Sequence, residues 1–219
     1  MEGPLGPTMG CAPGVNRPLK STCMVQMHMG DVVLGISGAS GAIYGVRLAE
    51  ALHAAGRTLR IVASDAARLT MQHECSDSPE ALAERCDAVL ESFGDIGAKS
   101  ASGSAPIDAV VICPCSGTTL GKLAAGISDN LVTRSAIVAL KERRPLILVP
   151  RETPLATIHL RNMTTLSEMG ALILPASPGF YTHPRTLMDA VDFIVARILD
   201  HLGVDHDLSQ RWTGEELDD

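Results

Sequence analysis

The chain has 219 residues, 46% of them hydrophobic and 20% charged, which suffices for one sizeable core, and no uninterrupted apolar stretch reaches the ~18–20 residues of a membrane helix. A formal charge of −7 argues against broad binding to nucleic acid or to an anionic membrane, both of which are held by clustered Lys and Arg. The cysteines (Cys11, Cys23, Cys75, Cys86, Cys113, Cys115) have neither paired CxxC spacing nor the density of a secreted scaffold, so the expected setting is a reducing cytoplasm without a disulfide framework.

Residues 1–30 are rich in Gly, Pro and Met, carry no apolar run of the signal-peptide kind, and read as a disordered N-terminal extension. From Asp31 short apolar runs alternate with helical patterns, which is how βαβ units read, so residues 31–204 are expected to form one α/β domain on a parallel sheet. Strands are expected at 32–36, 59–63, 109–113, 146–149 and 171–174; runs apolar on both faces suit strands covered by helices on either side. A helix follows Gly41, with Leu48, Ala51, Leu52 and Ala55 on one face and Gly56 closing it. Ser78 and Pro79 read as the cap and first-turn proline of a helix running toward Val89, and 94–106 as a loop. Asp129 or Asn130 caps a helix to about Arg143, and another over 157–169 stops at Gly170. The last helix, 187–202, places Val191, Ile194, Val195 and Ile198 on one face and ends at Gly203. An acidic tail over 205–219 carries Trp212, read equally well as docked on a surface or as part of a solvated tail.

Three constellations bear on chemistry. Gly35-Ile36-Ser37-Gly38-Ala39-Ser40-Gly41 joins the first strand to the first helix, where glycines admit a close ligand and a helix N-terminus offers N–H groups to a phosphate. Its G-x-x-G-x-x-G spacing lacks the dinucleotide fingerprint, since Ile36 stands where a glycine is needed, and a tight turn without ligand is the other reading. Pro114-Cys115-Ser116-Gly117-Thr118-Thr119 is a hydroxyl-rich loop at a strand end, where doubly wound sheets bind ligands, or else a cap for the next helix. The third is a scattered cationic group: Arg134, Lys141, Arg151 beside Glu152, and Arg197. Arg134 and Lys141 stand about 10.5 Å apart along a helix at ~1.5 Å per residue, too far for one phosphate, so two anionic sites or solvated surface charges are the alternatives. Cys113 and Cys115 form a CxC without a second pair nearby and read as small buried residues at a strand end rather than metal ligands. The histidines make no HxxxH, and there is neither a G-x-S-x-G elbow nor a P-loop, which leaves the chemistry to a bound cofactor or to electrostatics.

Over about Asp31 to Trp212 the chain resembles the flavin prenyltransferases of the UbiX type. The resemblance rests on GISGASGAIYGVRLAEAL, CPCSGTT, ISDNLVTR, LKERRPLILVPRETPL, LILPASPGFYTHPRTL and DFIVARILDHLG, occurring in that order. It implies a Rossmann-like or flavodoxin-like three-layer sandwich with a doubly wound parallel sheet, assembled as a dodecamer with active sites at subunit junctions. It implies metal-independent transfer of a dimethylallyl group from dimethylallyl monophosphate to N5 and C6 of reduced FMN. The product, prenylated FMN, would serve a partner decarboxylase of the UbiD type in ubiquinone synthesis or aromatic-acid metabolism.

Carried over by motif, Gly38, Ala39, Ser40, Ser64, Ser116, Gly117, Thr118, Thr119 and Arg134 would contact FMN. Lys141, Arg151, Glu152, Tyr181 and Arg197 would surround the prenyl phosphate, several of them donated by neighbouring subunits. Ser40 and Glu74 fall where the family places a polar pair near the flavin, and Glu152 or the retained phosphate is the expected base for ring closure. Trp212 matches a C-terminal aromatic of the family. Two departures stand out: Ile96 lies nearest a position where many members carry Trp, and Gly117 replaces a commonly larger residue.

Overall fold

The computed structural model describes residues 30–209, together with Met1 and Gly214. Most of the expected N-terminal extension therefore lies outside the described residues, as do Trp212 and most of the tail after Asp205. In chain order the elements are β1 (Asp31–Ile36), α1 (Ala42–Ala54), β2 (Leu59–Ala63), α2 (Asp65–Cys75), α3 (Pro79–Arg85), β3 (Val89–Leu90) and β4 (Ile107–Cys115), then α4 (Gly117–Ala124), α5 (Leu131–Lys141), β5 (Leu146–Pro150), α6 (Thr157–Glu168), β6 (Leu172–Ile173) and α7 (Leu187–Leu202).

All six strands run parallel in the order β3-β2-β1-β4-β5-β6. This is the doubly wound sheet expected from the sequence, in the Rossmann rather than the flavodoxin strand order. The winding reverses between β1 and β4, and the crevice outside their carboxyl ends is where such sheets bind ligands.

Strand side chains alternate between two cores. Val32, Leu34 and Ile36 of β1 join Leu48 and Leu52 of α1, Met71 of α2 and Val195 and Ile198 of α7 on one face. Val33 joins Ile112, Leu148, Leu123 of α4 and Leu131 of α5 on the other. Three layers result, and burial on both faces explains why the central strands read as continuous apolar runs. Period-2 alternation would put Cys113 and Cys115 on the same face, but the β4–β5 register shifts between Ile112 and Cys115. Cys113 consequently packs in the first core and Cys115 in the second, so the CxC cannot present both thiols to one ion. Burial pushes both thiols well above the ordinary cysteine range.

Several elements differ from the expectation. The helix opened by Ser78 and Pro79 ends at Arg85, and after a turn Val89 begins the short edge strand β3. The hydroxyl-rich segment is hardly a loop: β4 continues to Cys115, Ser116 caps, and Gly117 to Thr119 already form the first turn of α4. Helix α2 has no counterpart in the sequence reading, because only Ala67 and Met71 of its residues are buried and no apolar stripe marks it. Between the two expected caps for α5, Asn130 is the one used, its side chain accepting the Thr133 N–H at 3.0 Å in a capping box.

Helix α1 approaches the sheet at backbone contact. A Cβ added at Gly45 would run into the carbonyl oxygen of Cys113, a backbone atom that cannot step aside. Gly45→Ala should lower stability by ~1–3 kcal/mol, the usual cost of overpacking, seen as a lower midpoint of urea unfolding. An unchanged midpoint would show that α1 can lift from the sheet at no cost.

Candidate functional site

The site grows from the ends of β1, β2 and β4, of which Ser37 fastens the first to the last and a backbone hydrogen bond ties in the second. Ser37 is buried; its hydroxyl donates to the Pro114 carbonyl at 2.8 Å and accepts the Ser116 N–H at 2.8 Å. The Ser37 N–H also donates to the Pro114 carbonyl, at 3.2 Å, and the Ser64 N–H to the Ile36 carbonyl, at 3.0 Å. Three strand-end turns are thereby held at fixed separation around a cleft of about 290 Å³.

Two helices point their N-termini into this cleft, each capped by a serine that lines it. The Ser64 hydroxyl accepts the Ala67 N–H of α2 at 3.1 Å, and the Ser116 hydroxyl accepts the Thr119 N–H of α4 at 3.2 Å. Thr118 and Thr119 add hydroxyls, and Phe93 and Val132 give an apolar wall. Hydroxyl donors at two helix ends suit a phosphate and a polyol chain, and the apolar wall suits a planar ring, so these residues fit a mononucleotide such as FMN.

The glycine turn behaves differently from its expectation as a phosphate cradle. Gly41 caps α1 in a left-handed conformation (φ 101°) with no side chain to offer, and the vacant capping role falls to Glu74 of α2. The Glu74 carboxylate accepts the Gly41 N–H at 2.8 Å and the Ala42 N–H at 2.9 Å. Two of the amides at this helix start, those of Gly41 and Ala42, are thus filled by the protein's own carboxylate. Ser40 also hydrogen-bonds Glu74, and Arg151, at the end of β5, donates from Nε to the Ser40 carbonyl at 2.8 Å. Partial burial pushes the Glu74 carboxyl up, but the Ser40 hydroxyl, the two N–H groups and the Arg151 charge together outweigh it and hold the carboxyl below the ordinary glutamate value.

The residues singled out from sequence distribute as follows. Gly38, Ser64, Ser116, Thr118 and Thr119 line the cleft; Ala39 is buried behind the glycine turn; Ser40, Glu74 and Arg151 form the adjoining polar cluster. Gly117 faces away from the cleft, and a Cβ on it would stand 2.8 Å from Nε2 of His159, whose ring takes the space that a larger residue would fill. Arg134 is exposed one turn into α5 and does not line the cleft. Lys141 ends α5, about 16 Å along the helix from its capped start at ~1.5 Å per residue, and pairs with Glu142 at 2.7 Å. Arg197 pairs with Asp200 at 2.6 Å, and Tyr181 packs edge-on against Phe193 with ring centroids 5.7 Å apart. Glu152 is exposed beside Arg151, and Ile96 is exposed in a turn whose Phe93, not Ile96, reaches the cleft. A single chain therefore gathers the cleft and the Ser40–Glu74–Arg151 cluster, while Lys141 stands well away.

Sequence reasoning missed Ser37, Phe93, Lys122 and Asn130, all of which line the cleft. Ser37 lies within a motif already marked, and its role is set by a partner 77 positions away. Lys122 could be found only by knowing that α4 begins at Gly117, which puts it one turn beyond Thr118 on the same face.

A doubly wound parallel sheet with a hydroxyl-lined, mononucleotide-sized cleft at its switch point defines a nucleotide-binding α/β protein of the flavoprotein class. The flavoprotein family model matches residues 20–199. A flavin prenyltransferase UbiX of Thermoplasma acidophilum is 51% identical over 181 residues, covering 83% of this chain and 99% of that one. The crystal structure of AnUbiX in complex with FMN and dimethylallyl pyrophosphate superposes with a TM-score of 0.82 at 37% identity, over 85% of this chain and 99% of the other. A dodecameric FMN-dependent UbiX-like decarboxylase from Escherichia coli O157:H7 does so with a TM-score of 0.81 at 42% identity, over 84% and 100%. The chain belongs to the flavin prenyltransferase family of flavoproteins.

The Glu74 cap sets a pH dependence. Its folded-state pKa lies below the unfolded value near 4.5, so the stability it contributes is present above that value and is lost as pH falls through the depressed one. Glu74 is exposed, which keeps the effect modest. Glu74→Gln should therefore lose less stability than wild type between about pH 6 and pH 3 in urea unfolding. Equal losses in the two proteins would refute the carboxylate cap.

Proposed function

We propose that this protein transfers a dimethylallyl group from dimethylallyl monophosphate to N5 and C6 of reduced FMN, giving prenylated FMN for a UbiD-type decarboxylase in the cytoplasm. The observation that carries this reading is the junction, at one end of the sheet, of a mononucleotide cleft with the Ser40–Glu74–Arg151 cluster. The family membership and the relative bound to FMN and dimethylallyl pyrophosphate support it.

On this reading Gly38, Ser64, Ser116, Thr118 and Thr119 hold FMN, with Ala39, Ser40 and Gly117 shaping the turns that carry them and Arg134 contributing from α5. Reduced FMN, when bound, supplies the nucleophilic nitrogen and carbon that accept the prenyl unit. Breaking the allylic carbon–oxygen bond sends its electron pair to the departing phosphate, and fixed cations stabilise that growing charge. Arg151 is the cation already placed beside the cluster; Lys141, Tyr181 and Arg197 complete the phosphate site from neighbouring subunits. Glu74 keeps its charge and orients the Ser40 hydroxyl. Glu152, next to Arg151, takes the proton released in ring closure.

Assembly is supported by exposed apolar side chains in the two segments that carry these groups. Leu155, Ile158 and Leu160 follow Arg151 and Glu152, while Phe180, Leu187 and Met188 flank Tyr181; Phe180 is 71% and Leu187 78% exposed. A relative of this fold is dodecameric, and a comparable assembly would bury this surface and bring Lys141 of one copy toward the cleft of another.

Anaerobic incubation with reduced FMN and dimethylallyl monophosphate, followed by mass spectrometry of the released flavin, should show the mass gain of one prenyl unit. Lys141→Ala and Arg197→Ala should retain FMN binding and lose most of the product. Absence of the mass gain with both the monophosphate and the diphosphate donor would sink the reading, and full product formation by both variants would sink the phosphate-site assignment.

A further inference from the structure

The flavin reading supplies the cleft with hydroxyls and two helix ends, but the cation assigned to it from sequence, Arg134, does not line it in the single chain. Lys122 does. It follows Thr118 by four residues on α4, so the two side chains share a helix face. That face is the cleft face, because Gly117 and Gly121, on another side of α4, pack against His159 and Asn162 of α6. The position is therefore built rather than incidental: close packing behind the helix fixes which residues it turns toward the ligand.

The Lys122 ammonium donates to one oxygen of Asp129 at 2.7 Å, and the other Asp129 oxygen accepts from the side-chain amide of Asn130 at 2.8 Å. Asn130 lines the cleft and also caps α5, so it cannot move far. Asp129 caps no helix, and its carboxylate keeps the Asn130 amide as a partner if the ammonium leaves it. Its side chain is 51% exposed and that of Lys122 is 34% exposed, and an ion pair so open to water contributes little. A phosphate entering the cleft offers the same ammonium up to two negative charges and several acceptor oxygens. Lysine suits this exchange, since its flexible stem carries a point charge from one partner to the other without the planar match that arginine needs.

We propose that Lys122 is the cation that binds the phosphate of FMN, and that Asp129 is the counter-ion this phosphate displaces. The proposal rests on the flavin reading of the cleft. It gives α4 a double part in recognition, hydroxyls from its first turn and a charge from its second.

The test is titration of the full chain with FMN and, separately, with riboflavin, which lacks the phosphate, followed by quenching of flavin fluorescence. Lys122→Met should raise the FMN Kd at least about tenfold and the riboflavin Kd by less than about twofold. Lys122→Arg should bind FMN nearly as wild type does. Asp129→Asn, which removes the competing charge, should tighten FMN binding severalfold, whereas a purely structural ion pair would make its loss weaken binding. The proposal is overturned by an unchanged FMN Kd in Lys122→Met, by equal losses for FMN and riboflavin, or by weaker FMN binding in Asp129→Asn. Wild-type protein that binds neither flavin would overturn the flavin reading itself, and this proposal with it.

Discussion

At the reversal point of the sheet, β1 and β4 are neighbours whose paired register ends at Gly35 and Ile112, and beyond those residues the ladder no longer fixes how far apart the two chain segments run. The Ser37 hydroxyl takes over that task, donating across the gap to Pro114 and accepting from Ser116. Both partner groups belong to the backbone; with an apolar residue at 37 the Pro114 carbonyl would keep the residue-37 N–H, but the Ser116 N–H would lose its partner, and an unsatisfied buried polar group costs ~1–3 kcal/mol. The consequence extends beyond stability. Helices α1 and α4 start from the two segments that Ser37 joins, so this hydroxyl, with the backbone bonds beside it, helps to set the spacing of the cleft.

The helix ends gathered around the cleft are chemically alike and are used in opposite ways. Helices α2 and α4 are capped by their own serines, which satisfy one N–H each and leave the rest of the terminus facing the cleft. Helix α1 has no capping side chain of its own, and a carboxylate from α2 occupies its terminus instead. A helix terminus attracts negative charge, and here that attraction is satisfied internally. The result is a carboxylate that stays ionised beside Ser40 and Arg151, adjacent to a cleft with open termini of its own. Two helix ends thus remain open toward the cleft beyond their serine caps, while the third fixes an acidic group at a set position.

How much of this is legible in the sequence depends on whether the signal is local. Helix α7 declares itself by its apolar face, α5 by its cap, and the central strands by buried runs that only a doubly covered sheet explains. Ser116, Thr118 and Thr119 can be picked out because hydroxyls just after a strand are where a doubly wound fold puts its ligand, whereas Ser64 is reached only through the resemblance to the family. Helix α2 is silent because it floats on two buried side chains, and β3, at two residues, falls below any periodic signal, whereas β6 lies inside the apolar run expected at 171–174. The facing of Cys113 and Cys115 reverses through a register shift that alternation cannot foresee. The filling of the glycine turn by Glu74 depends on a contact 33 positions away, so the most suggestive local motif in the chain was also the one most changed by its tertiary partner.

The scattered cations show where local reading stops for a geometric reason. A helix that begins at the carboxyl edge of a parallel sheet must run back toward the opposite edge, so its two ends cannot serve one site in the same subunit. Asn130 at the start of α5 lines the cleft, and Lys141 at its end is carried about 16 Å away at ~1.5 Å per residue. Sequence proximity to the DNLVTR motif therefore says nothing about proximity to the ligand. On the proposed reading, Lys141 can act only in the cleft of another copy, and such a copy would have to pack on surface lying between the two ends of the helices. The exposed apolar residues of the 155–160 and 180–188 segments provide a surface of the required character, next to Arg151 and Tyr181 rather than remote from them. Catalytic competence and assembly would then depend on the same contacts, and a change that loosened the interface would remove phosphate ligands without touching the flavin cleft.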